Sequence, residues 1–166
     1  MIAFFPAGDP THLVTCVEGD REIIAIHPDG SIKLNPSIQR IHLSTGRVET
    51  VLRGMSGCDG IRTTPWGTIL ATEERADGGA YEILDPLRVT DHSVLDRAAG
   101  TVTDPHHLVK RTALPVMAWE GIAILPSGVV IAGDELRPGA AAPGAAGGTI
   151  YKFIPTTPYA GSAPHL

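Results

Sequence analysis

Apolar residues in this chain come in short runs separated by glycine, proline and small polar residues, a pattern that suits strands joined by turns better than helices. Ile38-Gln39-Arg40-Ile41-His42-Leu43 alternates apolar and polar, turns at Ser44-Thr45-Gly46 and returns through Arg47-Val48-Glu49-Thr50-Val51-Leu52, which predicts a half-exposed outer hairpin. Arg21–Leu34 predicts another hairpin around Pro28-Asp29-Gly30; whether it is inner or outer in its sheet stays open. Met1–Gly8 reads as the end of an inner strand, and His12–Glu18 as the strand after it. Further on, Ser93-Val94-Leu95 is expected as a polar outer strand within 87–99, and 100–114 as irregular. The Ala/Gly/Pro-rich connection 136–146 is expected to be mobile, and the tail 156–166 carries no packing pattern.

One pattern occurs twice. Asp59-Gly60-Ile61 through Glu73-Glu74 aligns without a gap on Glu120-Gly121-Ile122 through Asp134-Glu135. Each copy reads acid, Gly, Ile, a turn with proline and glycine, an aliphatic run, then two acids. Each then reaches a Gly-Gly pair and a strand ending in proline, at Gly78–Pro86 and Gly147–Pro155. The turns Pro65-Trp66-Gly67 and Pro126-Ser127-Gly128 predict hairpins with a type I turn and a bulge. Repetition of this length points to an array of supersecondary units. Four-stranded antiparallel units of this kind build β-propellers, so the expected fold is all-β, made of propeller blades in an incomplete propeller. One partial domain then spans 1–166, with blade remnants at 1–55, blades at 58–99 and 116–155, and the tail.

The acids gain meaning from that register. Asp59 faces Glu73 or, one residue along, Glu74; Glu120 faces Asp134 or Glu135. Glu18 ends its own strand in the same way. Like charges opposed on a sheet are destabilising, and a hard divalent cation is the natural group to offset them.

Composition removes several function classes. The 166 residues carry a net charge of −5 with no basic block, which speaks against nucleic acid or an anionic membrane as partner. Nineteen glycines and fourteen prolines, spread between the apolar runs, fit many turns. No apolar run approaches membrane-spanning length, and the first residues lack the pattern of a signal peptide. Cys16 and Cys58 do not define a disulfide framework or a zinc pattern, and Cys16 reads as a small buried hydrophobe. His27 and His42 read as structural or surface residues, and the adjacent His106 and His107 as diverging loop residues.

Cys58, Thr64-Pro65-Trp66-Gly67-Thr68 and Glu73-Glu74, followed by a strand ending Asp85-Pro86, resemble the signature of the PhoX-type alkaline phosphatases, a family with a propeller fold. Glu120-Gly121, Gly133-Asp134-Glu135 and Tyr151-Lys152-Phe153-Ile154-Pro155 look like that family's second metal-site segment. The resemblance implies hydrolysis of small phosphate monoesters by an iron and calcium cluster, in a periplasmic or secreted bacterial protein. It implies Cys58 as an iron ligand, Glu120 and Asp134 as carboxylate ligands with Glu135 beside them, and Glu73 or Glu74 serving calcium. Only one of that pair is expected to reach the ions, because successive strand residues point to opposite faces. Arg62, on the first strand of the repeat, is a candidate phosphate contact.

Two other readings stand beside it. Leu13–Gly30 resembles a blade of the gluconolactonase and regucalcin type of lactonase, which uses calcium alone and needs no Cys58. The other is a non-catalytic propeller fragment whose open sheet edges are covered by self-association or by further blades.

Overall fold

The computed structural model describes residues 1–140 and 142–161, and the part of the tail expected at 162–166 lies outside them. All regular structure among the described residues is strand. Ile2–Phe5 (β1) and His12–Cys16 (β2) pair antiparallel. Ile23–Ile26 (β3) and Ile32–Leu34 (β4) form a separate two-stranded hairpin. Pro36–His42 (β5) then pairs with β2, and Val48–Arg53 (β6) with β5.

The second sheet starts with Cys58–Thr63 (β7), Ile69–Glu73 (β8) and Ala80–Ile83 (β9), each antiparallel to the one before. Its outer strand is not the one expected at 93–95. His92–Asp96 (β10) instead runs parallel to β6 and, with Thr101–Val102 (β11), widens the first sheet. Leu108–Lys110 (β12), inside the stretch expected to be irregular, supplies the outer edge of the second sheet by pairing with β9. Three residues are too few to show a period. Tertiary contacts hold this strand, with Leu108 buried in the core and the Lys110 ammonium donating to the Ala98 carbonyl at 3.2 Å. Trp119–Ile124 (β13), Val130–Asp134 (β14) and Ile150–Phe153 (β15) make the third sheet.

The repeat holds in three dimensions, pair for pair. Ile61 opposes Ala71, which opposes Tyr81; Ile122 opposes Ala132, which opposes Tyr151. The turn glycines Gly67 and Gly128 adopt φ of 82° and 85°, which only glycine takes without strain. At the same point each first strand bulges, so that Asp59-Gly60 lies opposite Thr72 and Glu120-Gly121 lies opposite Gly133. A bulge bends the strand and re-aims the side chain at its tip.

The first sheet is a third copy that the sequence hides. Ile2 opposes Thr15 as Ile61 opposes Ala71. The amides of Val17, Glu73 and Asp134 donate to the Ser37, Gly79 and Thr149 carbonyls at 2.8, 3.1 and 3.0 Å, the same bond in each unit. By that register Glu18, Glu74 and Glu135 are equivalent.

The sheets stack. Val14, Ile38 and Leu52 of the first sheet pack on Ile61, Ile69, Ala71, Tyr81 and Ile83 of the second. On the other face of the second sheet, Leu70 and Ala80 pack under Ile122, Val130 and Ala132 of the third. Alternation along β8 therefore serves two interfaces, which is why its residues are buried on both faces.

Candidate functional site

The equivalent ends of β7, β8 and β13 bring carboxylates from two sheets together. Asp59 and Glu120 sit on the two bulges, and Glu74 follows β8 where its backbone bridges to Ala118, the residue before β13. One carboxylate oxygen from each of Asp59, Glu74 and Glu120 lies within 4.8 Å of the others. Glu135, whose amide donates to the Ala118 carbonyl at 2.8 Å, shares a hydrogen bond with the Glu74 carboxyl. Glu18 completes the rim from the first sheet and lines a cleft of about 150 Å³ with Gly57, Glu74 and Arg75.

The electrostatics follow from this crowding. The hydrogen bond to Glu135, partial burial and the charges of Glu135, Glu120 and Asp59 push the Glu74 carboxyl up to about 7. Glu135 is held below the usual carboxylate range by that same hydrogen bond and by Arg137. Glu120 is raised by burial and by the charges of Asp59, Glu135 and Glu18. The Met1 ammonium approaches Asp59 at 3.5 Å. Oxygen-only donors at this density suit a hard cation such as calcium.

The residues expected at the site divide. Glu74, Glu120 and Glu135 join Asp59. Glu73 points the opposite way, as alternation requires, and is fully buried. Its carboxylate accepts from the Ser56 amide at 2.8 Å, the Gly79 amide at 3.0 Å and Arg97 Nε at 2.7 Å, so its capacity is used in holding the fold. Asp134, its equivalent, accepts from the Leu136 amide at 3.1 Å and closes the turn after β14. The Arg62 guanidinium donates to the neighbouring Ile61 carbonyl at 2.7 Å and lies against the Met1 sulfur.

Cys58 requires a correction. β2 lies beside β7, and Cys16 and Cys58, with Cα atoms 5.2 Å apart, form a disulfide. Cys16 is thus not the simple buried hydrophobe expected, and Cys58 not a free thiol; the 42-residue separation matches no local spacing. A sulfur bonded to sulfur offers no thiolate, so thiolate ligation of iron does not fit this donor set.

The histidines lie elsewhere. His42 meets His12 edge to face at 4.7 Å between ring centroids, and His27 is exposed in its turn. His106 and His107 do diverge: His107 Nδ1 bonds Asp104 at 2.7 Å, whereas His106 contributes its amide to the same residue.

Asp59 and Glu18 are the rim residues that the resemblance did not supply. Asp59 was legible from the repeat, and Glu18 only from its place at a strand end. No protein-family model, curated protein or solved structure matches this chain.

Proposed function

We propose that the three sheets are consecutive blades of an open β-propeller, and that the acidic rim binds calcium in the service of phosphate monoester hydrolysis. The observation that carries the reading is the convergence of Asp59, Glu74 and Glu120 from two repeat units onto one point. In support of blades, β1, β7 and β13 are the equivalent first strands of successive units, and neighbours among them lie side by side. A calcium ion there would supply charge neutralisation for the oxygens of a phosphoryl group. The chain's part is to hold the carboxylates: the two bulges aim Asp59 and Glu120 inward, and Glu73 with Arg97 anchors the strand that presents Glu74. Thiolate-bound iron has no place in the oxidised chain.

Lactone hydrolysis is the second reading, and the disulfide favours it, because calcium alone suffices there and Cys58 is not required. Both are tested on protein purified without chelators. Calcium per chain is counted by plasma mass spectrometry, and turnover of a chromogenic phosphate ester is measured beside a lactone assay, with and without reductant and added iron. Calcium with phosphatase activity supports the first reading. Calcium with lactonase activity replaces it by the second, and calcium without turnover leaves a binding unit. A chain that binds no calcium in millimolar excess refutes both enzymes.

A further inference from the structure

The stacking rule has two loose ends. Each sheet has a leading face, which packs on the preceding unit, and a trailing face, which receives the next. The second sheet uses both. The leading face of the first sheet, with Ile2 53 % and Phe4 52 % exposed, has no preceding unit among the described residues. The trailing face of the third sheet has no following unit on it among the described residues. Ile131 and Ile150 occupy there the register positions of Leu70 and Ala80, yet Ile150 is 75 % exposed where Ala80 is buried.

A pair of glycines shows what is missing. A Cβ on Gly60 would lie 3.2 Å from Ile122 Cγ2, because the isoleucine of the next unit packs against the bulge glycine. Gly121 is its equivalent in the third sheet, and nothing lies within 4 Å of the Cβ position there. The residue that should cover Gly121 is the isoleucine at the same register in a following unit. Ile2 is that isoleucine in the first sheet, opposing Thr15 as Ile122 opposes Ala132.

We propose that two copies of this chain close a ring, the trailing face of each third sheet packing on the leading face of the other copy's first sheet. This rests on the blade reading above. Each copy then supplies the surface the other lacks, and the contact repeats one already present twice within the chain. Three units in each of two copies give six, inside the range of four to eight blades at which propellers close. A head-to-tail contact that closes after two copies ends the assembly and removes both exposed apolar faces. It also sets the acidic rims of the two copies around one channel.

The test is light scattering on the size-fractionated chain, together with pairwise cross-linking. The expected mass is twice 17.4 kDa. Gly121→Cys, at an open position, and Ile2→Cys are made separately, mixed and oxidised. A covalent dimer should form in the mixture and from neither variant alone, and Phe4→Glu should shift the unmodified chain to monomer. A monomer at tens of micromolar, or cross-linking of either variant with itself, overturns the ring. Calcium is counted on the same fractions, which separates the two ideas. A monomer that binds calcium ends the ring and keeps the metal reading, whereas a cross-linked dimer without calcium does the reverse.

Discussion

Adjacent glutamates on one strand end do opposite work. Glu73 is buried among two backbone amides and Arg97, while the Glu74 carboxyl faces a crowd of acids and is pushed up to about 7. A carboxyl whose folded pKa is raised favours the folded state most below its unfolded pKa of 4.5, and that contribution is lost as pH rises towards 7. Calcium must displace the same proton, so its affinity should rise with pH up to about 7 and then level off. Titration calorimetry between pH 5 and 8.5 checks this, and a flat profile rules out Glu74 as a ligand. Glu74→Gln should remove the pH dependence, weaken calcium binding by about tenfold or more, and raise the melting temperature of the metal-free chain at pH 8, since one repelling charge is gone. Glu73→Ala should do none of this; it strands the Arg97 charge beside Asp77 alone and should cost about 3 kcal/mol in denaturant unfolding.

At the scale of the element, the bulge is the unit that matters, because it turns an acid inward and places a glycine beneath the next sheet. Gly60→Ala sets a methyl 2.3 Å from Thr72 Oγ1, inside a fully buried contact, and should destabilise by about 1–3 kcal/mol. Gly121→Ala occupies the same register with open space around it and should be nearly neutral in the isolated chain. Equal losses in urea unfolding would overturn this difference in surroundings, with Gly60 covered by the next sheet and Gly121 open. Both hairpins were legible because proline and glycine mark the turns and two copies could be laid on each other, but the expected register was not: the bulges put Cys58 rather than Asp59 opposite Glu73, and Trp119 rather than Glu120 opposite Asp134. The first unit was not recognised as a copy. It lacks the acid-Gly-Ile start, and the equivalence of Val17 with Glu73 resides in a backbone hydrogen bond that no side chain records. β12 escaped for a related reason, since a three-residue strand takes its structure from the sheet it joins.

The whole molecule is a stack of sheets stitched at one covalent point. Cys16 and Cys58 join the first unit to the second beside Asp59, closing a loop of 42 residues that includes β3 through β6. Sequence spacing could not show the bond, because only the stacking of units brings β2 against β7. Loop-closure entropy for a ring of this size is worth about 4 kcal/mol to the folded state. The Cys16→Ser, Cys58→Ser double variant should therefore unfold at markedly lower denaturant, with the m-value changed only slightly. Its calcium affinity decides what the sulfurs do. If the carboxylates alone form the site, the double variant, kept at a temperature where it stays folded, should bind calcium within a few-fold of the parent. Iron binding that appears in the reduced parent and not in the double variant would instead restore Cys58 as a thiolate ligand, with the disulfide as its oxidised form.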